Sequence, residues 1–269
     1  MSERAGSYLL AGQPTERERL QLQSRVWEPA GRVLLAKLPS GAGLRALDVG
    51  CGVMGWLRVL SEWVGPHGNV VGADIDDKML AGARSFVEAE ALGNVTLRKD
   101  DLFSTQLPSR SFDLVHSRFE IAPLGRADEQ IAVYTQLVKR GGWLVLEDPD
   151  IASWRVNPDA PAVRRLIELI EQGFWAAGGD VNAGRHLPSF FRRLGVEPRL
   201  DAHIVALPPE HPYLRLPLQF ATSLRPRLEG LVGKAELDDL ARRVEVELPR
   251  PGTWGTTFTL TQAYAPLSS

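Results

Sequence analysis

The spacing of apolar residues along the chain predicts helices that alternate with short strands. Apolar residues recur at helical intervals from Thr15 to Leu38, and Pro29 falls inside this helix, where a proline kinks or divides it. After the short apolar strand "LRALDV", apolar residues from Val53 to Val64 follow the i, i+3, i+4, i+7, i+11 pattern of a helix with one buried face. Four more strands are predicted at "NVVGADI", "NVTLRKD", "FDLVHS" and "GGWLVLED".

This alternation indicates an α/β fold. One predicted helix follows Asp76 and Asp77, which can cap it, and another runs from about Asp128 to Lys139. Parallel neighbours need a long crossover connection, usually a helix. The order therefore predicts βαβ units and a parallel sheet covered by helices on both faces.

The pattern changes after Pro149. Helices are predicted around 162–174, in "LPSFFRRLG" and through most of 208–250, with a strand around 199–206. The segment "GTTFTLTQAYA" is rich in threonine and aromatic residues and predicts a final strand. We expect an N-terminal helical lid at 1–40 and a main domain at 41–269, with helical insertions around 150–180 and 208–250.

Composition narrows the class of protein. The chain has 269 residues, 44% of them hydrophobic and 24% charged, as in ordinary soluble domains. A formal charge of −2 gives no electrostatic reason to expect nucleic acid or an anionic membrane as a partner. No stretch approaches ~18 uninterrupted apolar residues, and the polar N-terminus does not resemble a signal peptide. We expect no membrane span and a cytoplasmic location; monomer and homodimer both stay open.

Metal and disulfide chemistry are not expected. The one cysteine, Cys51, excludes an internal disulfide and a multi-cysteine metal site. The five histidines are scattered and show no H-E-x-x-H spacing.

The stretch "ALDVGCGVMG", from Ala46 to Gly55, contains G-x-G-x-x-G between a predicted strand and a predicted helix. Glycines allow a tight turn and close backbone approach, and the N-terminus of the helix offers unpaired N–H groups. That arrangement fits either a dinucleotide or S-adenosylmethionine.

Asp48 separates these two cofactors. A carboxylate about 4 Å from a phosphate charge costs roughly 4 kcal/mol at an effective dielectric near 20. S-adenosylmethionine instead carries an ammonium and a cationic sulfur, which a carboxylate attracts. Asp48 therefore favours S-adenosylmethionine and disfavours a nicotinamide cofactor.

Later strand ends agree with this interpretation. Asp74 ends the second strand, where a carboxylate can accept hydrogen bonds from both ribose hydroxyls. Asp101 can accept from the adenine amino group, with Asp100 as the alternative, and Leu102 can pack on the ring. Ser117, near the end of the fourth strand, is predicted beside the methionine end.

The motifs "LDVGCG", "VVGADI", "KDDLF", "FDLVHSRF" and "KRGGWLVLED" resemble, in order over residues 44–148, those of class I S-adenosylmethionine-dependent methyltransferases. The leader "SYLLAGQPTERERLQLQSRVWEP" is similar to the helical leader of a small-molecule branch. The resemblance implies a Rossmann-like, mostly parallel seven-stranded sheet of order 3-2-1-4-5-7-6 with its last strand antiparallel. Together, the residues and the resemblance predict these cofactor-binding residues: Tyr8, Gln23, Asp48, Gly50, Cys51, Gly52, Asp74, Ile75, Asp101, Leu102 and Ser117.

Catalytic residues are harder to assign. Glu120 stands where relatives of this branch tend to be apolar, and it is either a group that orients or deprotonates the acceptor or an outward salt bridge. Glu147 and Asp148 end the predicted fifth strand, where an acceptor pocket is expected to open. His186 is either a helix-start residue or an acid–base group facing the substrate.

The function expected is methyl transfer by an SN2 reaction to a small-molecule acceptor, such as a secondary metabolite. Two alternatives stay open: a protein that binds S-adenosylmethionine without transferring methyl, and, less favoured, an NAD-dependent oxidoreductase. An apolar acceptor pocket of ~300–1,000 Å³ is expected between the inserted helices. Its candidate wall residues are Trp154, Phe174, Trp175, Phe190, Phe191, Tyr213 and Phe220.

Overall fold

A seven-stranded sheet runs through the protein in this computed structural model, which describes residues 16–268. A second, three-stranded sheet lies outside it. The strands in chain order are β1 (Arg45–Val49), β2 (Asn69–Asp74), β3 (Val95–Lys99), β4 (Phe112–Arg118), β5 (Val138–Asp150), β6 (Val156–Asn157), β7 (Arg199–His203), β8 (Ala206–Leu207), β9 (Trp254–Thr256) and β10 (Thr259–Pro266).

The order of the large sheet is β3-β2-β1-β4-β5-β10-β7. Strands β1 to β5 pair in parallel, and β10 lies antiparallel to both β5 and β7. Counted within this sheet alone, the strands have the order 3-2-1-4-5-7-6. The predicted α/β fold, strand order and antiparallel last strand are therefore confirmed.

Helices cover both faces of the sheet and form a further layer. They are α1 (Glu16–Leu35), α2 (Leu57–Val64), α3 (Asp77–Ala89), α4 (Ile121–Leu124), α5 (Ala127–Leu137), α6 (Pro161–Trp175), α7 (Leu187–Arg193), α8 (Leu216–Ser223), α9 (Arg225–Val232) and α10 (Lys234–Glu247). Pro29 lies within α1 without dividing it. Within residues 16–268, no helix is both long and apolar enough to cross a membrane.

Three apolar clusters hold these layers together. One face of the sheet packs against α1, α2 and α3, with Trp56 and Leu60 completely buried. The opposite face packs against α5 and α7 through Tyr134 and Phe191. The third cluster lies among α6, α8, α9 and α10 and includes Trp27 of α1. Helix α1 thus joins the sheet to the later helices.

Two element boundaries differ from expectation. Strand β5 begins at Val138 and continues to Asp150, beyond the predicted "GGWLVLED" at both ends. Its carboxyl end is extended because β10, from the far end of the chain, pairs with it from Trp143 to Asp150. Its first residue, Val138, pairs with Phe112 of β4. The strand expected around 199–206 is divided into β7 and β8, which belong to different sheets.

Candidate active site

Two neighbouring cavities open beyond the carboxyl ends of the central strands. The larger holds about 1130 Å³ of empty space, including its open mouth, and is lined by the segments that follow β1, β2, β3 and β4. The smaller holds about 490 Å³ and lies towards α6 and α8. Gln23 and Phe119 line both cavities and mark the place where they meet.

The glycine-rich turn forms the floor of the larger cavity. Gly50 has a φ of 66°, in the left-handed region that favours glycine. A Cβ at Gly50 would overlap the carboxylate of Glu120, and one at Gly55 would overlap a carboxylate oxygen of Asp48. Glycine therefore lets two acidic side chains approach the turn.

Asp74 ties this turn to β2. One of its carboxylate oxygens accepts a hydrogen bond from the backbone N–H of Gly52 at 2.9 Å, and the other accepts from Asp76 N–H at 2.9 Å. Burial raises the pKa of Asp74. Asp74 and the adjacent Ile75 both line the larger cavity, and Ile75 is 55% exposed.

Asp100, Asp101 and Leu102 line the same cavity beyond β3. Asp101 also caps a short 3₁₀ turn, since its carboxylate accepts from Phe103 N–H and from the Ser104 hydroxyl, each at 3.0 Å. Asp101 therefore caps this turn and also lies where it was predicted to bind the adenine.

Cys51 lines the cavity but is buried. Burial, followed by the charges of Asp48, Asp74 and Glu120, raises the pKa of its thiol well above the usual value. A thiol that stays protonated is a poor nucleophile. Cys51 therefore acts as a small side chain that fits the turn.

Helix α1 closes one side of the larger cavity with Leu20, Gln23 and Ser24. The side-chain oxygen of Gln23 accepts a hydrogen bond from Arg19 at 2.6 Å. The structure thus brings Gln23 to the predicted site. Tyr8, the other residue predicted from the leader, lies outside the described residues.

The smaller cavity has mostly apolar walls. Of the predicted wall aromatics, Phe174 and Phe220 line it, together with the unpredicted Phe119 and Phe258. The full lining is Arg19, Gln23, Phe119, Ala122, Pro123, Pro149, Ile151, Ile170, Phe174, Val181, Phe220 and Phe258.

The other predicted wall aromatics lie elsewhere. Trp154 and Tyr213 belong to the core formed by the later helices, whereas Phe190 and Phe191 pack beneath the sheet. Trp175 is 73% exposed. None of these residues lines either of the two cavities.

Comparison with known proteins finds relatives of the segment that contains the larger cavity. A sequence model described as "Methyltransferase domain" matches residues 46–142, which span β1 to the middle of β5. Aklanonic acid methyltransferase DauC of Streptomyces sp. (strain C5) is 34% identical over 121 residues, which are 45% of this chain and 55% of that protein. Residues 46–142 therefore resemble the methyltransferase-domain family.

Other methyltransferases show similarity over the same part of the chain. Demethylmenaquinone methyltransferase of Geobacillus kaustophilus (strain HTA426) is 36% identical over 103 residues, 38% of this chain and 44% of that protein. Nocamycin O-methyltransferase of Saccharothrix syringae is 31% identical over 136 residues, 49% of each chain. The chain thus matches only about half the length of these curated relatives.

Solved structures show the same fold. A SAM dependent methyltransferase from Aquifex aeolicus superposes with a TM-score of 0.53 at 19% identity, covering 72% of this chain and 92% of that one. The YcgJ protein from Bacillus subtilis superposes with a TM-score of 0.57 at 14% identity, covering 90% of this chain and 99% of that one.

A row of buried, hydrogen-bonded polar side chains crosses the large sheet below the larger cavity. His116 contacts an Asp48 oxygen through Nδ1 at 2.7 Å and a Glu147 oxygen through Nε2 at 3.1 Å. Its ring stacks on Trp56 with the ring centroids 3.8 Å apart. The other Asp48 oxygen accepts from Trp56 N–H at 2.8 Å, and Gln262 donates to Glu147.

These contacts shift the pKa values of His116 and Glu147 towards the charged form of each side chain. Burial alone would lower the pKa of His116, but its hydrogen bonds to Asp48 and Glu147 outweigh burial and raise it. Burial would raise the pKa of Glu147, but His116 and Arg118 lower it. An imidazolium is therefore held between two buried carboxylates.

Glu147 and Asp148 do not open onto the acceptor pocket, and that prediction is wrong. Because β5 continues to Asp150, both residues lie within the paired strand and are almost completely buried. Asp148 accepts from Ala122 N–H at 2.9 Å, and burial raises its pKa to about 8. Pro149, the next residue, lines the smaller cavity instead.

Ser117 also points away from its predicted place. Its hydroxyl contacts the Tyr134 hydroxyl of α5 at 2.9 Å, on the opposite face of the sheet. Successive side chains of a strand alternate between faces. His116 and Arg118, on either side of Ser117, therefore line the larger cavity, and Ser117 does not.

The two remaining catalytic candidates lie in different surroundings. Glu120 turns into the larger cavity over Gly50, not outward into a salt bridge. Burial raises its pKa well above the usual value, and Asp74, Asp148 and Asp48 raise it further. The side chain of His186 is 58% exposed, 3.6 Å from Asp180, and lines neither cavity.

Three of the site residues that the sequence analysis missed lie together at the end of β4 and just after it: His116, Arg118 and Phe119. The alternation along "FDLVHSRF" could have identified the first two, since it places them opposite Ser117. Phe119 has a φ of 62°, which is uncommon for a bulky side chain and strains the backbone. This conformation places its ring against both cavities.

Proposed function

We propose that this protein transfers a methyl group from S-adenosylmethionine to a small, largely apolar acceptor. The observation that carries the proposal is the pair of neighbouring cavities that share two wall residues. One has polar groups in the order that the cofactor requires, and the other is apolar and meets it at Gln23 and Phe119.

The polar groups follow the order of the strands. Asp101 and Leu102 after β3 would hold adenine, and Asp74 at the end of β2 would accept from the ribose hydroxyls. The turn after β1, beginning at Gly50, would hold the methionine portion. Neighbouring strands are about 4.8 Å apart. An extended nucleoside with an amino-acid tail therefore fits along this edge.

The charge of the larger cavity selects between cofactors. Its lining includes one arginine and six acidic side chains: Asp48, Asp74, Asp76, Asp100, Asp101 and Glu120. Such a surface attracts a sulfonium and an ammonium and repels a pyrophosphate. This supports S-adenosylmethionine over NAD.

When bound, the cofactor supplies an already activated methyl group on a cationic sulfur. The protein then needs to align the acceptor and keep water away. The walls of the smaller cavity, including Phe174, Phe220 and Phe258, can do both for an apolar molecule. Arg19 and Gln23 are the polar groups at its rim that can orient such an acceptor.

Of the three predicted catalytic candidates, Glu120, Glu147 and His186, only Glu120 lines a cavity, so we assign it the role of taking the proton from an acceptor hydroxyl or ammonium. Its raised pKa makes it a better base than an ordinary carboxylate once ionised. In Glu120→Gln, methyl transfer should fall by about 10²-fold or more, with S-adenosylhomocysteine affinity changed much less. Equal losses in rate and affinity would contradict this role.

We also propose that the chain is divided into a main domain and a helical lid. Residues 1–40, with the insertions around 150–180 and 208–250, would cover the sheet as a lid, since α1, α6 and α8 contribute walls to the cavities. A lid must open to exchange ligands. Amide hydrogen exchange in α1 should slow when S-adenosylhomocysteine binds; unchanged exchange there would refute the lid.

Ligand binding tests the cofactor assignment directly. S-adenosylhomocysteine at ~100 times its Kd should stabilise the protein by ~2.7 kcal/mol, and NADH should not stabilise it. Asp74→Asn should lose much of this effect. Asp77→Asn is the matched control, because Asp77 is exposed and lies outside both cavities. Stabilisation by NADH alone would refute the assignment.

Transfer is tested with methyl-labelled S-adenosylmethionine and a panel of apolar phenols, quinols and carboxylic acids. The proposal expects label in at least one organic product, and Asp74→Asn should slow its formation. Binding of the cofactor with no transfer to any panel member would instead favour a protein that binds it for another purpose.

A further inference from the structure

We infer that Arg118 binds the carboxylate of the cofactor's methionine portion and so selects cofactors that carry this group. The inference deepens the proposed function and rests on it.

Arg118 is buried with one hydrogen-bonding group left over. It is the last residue of β4, and its side chain is only 6% exposed. Its Nη1 atom is buried and makes no hydrogen bond to any residue that the structure describes. A buried donor without a partner is unfavourable, and native proteins rarely leave one without a reason. A ligand oxygen in the adjoining cavity would satisfy it.

The rest of the guanidinium is held in place. Nη2 donates to the Ser24 hydroxyl of α1 at 3.3 Å and to the carbonyl oxygen of Gly55 at 3.4 Å. Nε lies 3.9 Å from a carboxylate oxygen of Glu147. Arg118 is therefore fixed between α1 and the glycine-rich turn, and it belongs to the lining of the larger cavity.

The position matches one end of the proposed cofactor. Adenine and ribose are assigned to the ends of β3 and β2, which leaves the ends of β1 and β4 for the amino-acid portion. β1 and β4 are direct neighbours in the sheet. Arg118, at the carboxyl end of β4, thus lies at the methionine end.

Charge makes the assignment specific. Among the described residues that line the larger cavity, Arg118 is the one arginine, and there is no lysine. S-adenosylmethionine has two cationic groups and one anionic group. The acidic lining suits the cations, and the single guanidinium suits the carboxylate, which accepts strong charge-assisted hydrogen bonds.

The test compares two ligands that differ only at this group: S-adenosylmethionine and its decarboxylated form, which keeps the sulfonium and the ammonium. Calorimetry of the wild-type protein should show S-adenosylmethionine binding roughly 10- to 100-fold more tightly. In Arg118→Met, this preference should fall below about 3-fold. Arg98→Met is the control, because Arg98 is exposed on β3 and outside the cavity.

The ratio of the two affinities separates recognition from folding. A purely structural role for Arg118 would weaken both ligands alike and leave the wild-type ratio, which would overturn the inference. Arg118→Lys keeps the charge with a shorter, single-pronged donor, so an intermediate ratio is expected if Arg118→Met fails to fold. An unchanged ratio in Arg118→Lys and Arg118→Gln would also overturn it.

The outcomes distinguish this inference from the proposed function. If the wild-type protein binds neither ligand, the proposed function fails. If it binds both equally well, the proposed cofactor site stands and the role of Arg118 is refuted.

Discussion

The buried imidazolium of His116 offers a demanding test of the structure. In His116→Phe, a ring of similar shape can still stack on Trp56, but Asp48 and Glu147 each lose a charged partner. Both carboxylates are essentially inaccessible to water. Breaking a buried ion pair by removing one partner costs about 3–5 kcal/mol. At about 2–4 °C per kcal/mol for a protein of this size, Tm should fall by roughly 6–20 °C.

The dependence on pH has a defined sign. Because the folded pKa of His116 is raised, its stabilising contribution is complete below its unfolded pKa of about 6.5. That contribution is lost as pH rises through the folded pKa. Urea unfolding at several pH values should therefore show the gap between wild type and His116→Phe narrowing under alkaline conditions.

A matched variant separates charge from packing. Replacing all three groups by neutral ones, as Asp48→Asn with His116→Phe and Glu147→Gln, removes the uncompensated charges and should recover much of the lost stability. The reasoning is refuted if His116→Phe lies within about 1 kcal/mol of wild type, or if the triple variant is less stable than the single one.

Three further predictions concern other parts of the molecule. Burial raises the pKa of Asp148 to about 8, so the stability of the wild-type protein should fall as pH rises from about 4 to 8. In urea unfolding at several pH values, Asp148→Asn should reduce this dependence of stability on pH, and an equal dependence in both proteins would contradict the prediction. Gly125→Ala should lower Tm more than Gly178→Ala. Both glycines have left-handed backbones, but only a Cβ added at Gly125 would overlap a backbone carbonyl oxygen, that of Gly178; equal losses would be evidence against this packing. Phe220→Ala should raise the KM for an apolar acceptor severalfold without changing the Kd of S-adenosylhomocysteine; a change in Kd alone would place Phe220 in the cofactor site.

The fold and the cofactor edge were predictable because they depend on local patterns. Strand periodicity located β1 to β4, and parallel strands bring their carboxyl ends to one edge. Asp74 and Asp101 therefore fall in one cavity although 26 intervening residues separate them in the sequence. Glycine spacing likewise located the turn at Gly50, which needs a left-handed backbone.

The errors arose where the answer depends on distant pairing. Ser117 and His116 differ by one position, and only the register of β4 decides which of them faces the cavity. Glu147 was predicted at a strand end, but pairing with β10, more than a hundred residues later, places it inside the sheet. No local pattern contains that information.

The sequence predicted an apolar acceptor cavity but not which residues form its walls. Its walls come from α1, the segment after β4, α6, α8 and Phe258, and an apolar residue in any of these has a helical or core role by default. Phe174 and Phe220 were predicted as wall residues and line the cavity. Trp154 and Tyr213 were predicted on the same ground, as aromatic residues of the inserted regions, but they belong to the core.

A crystal structure of the protein with S-adenosylhomocysteine tests the central claim most directly. The account predicts adenine beside Asp101 and Leu102, ribose hydroxyls on Asp74, and the sulfur at the junction beside Phe119, facing the apolar cavity. A sulfur directed away from that cavity, or a ligand bound outside the carboxyl edge of the sheet, would contradict the proposed transfer to an acceptor held there.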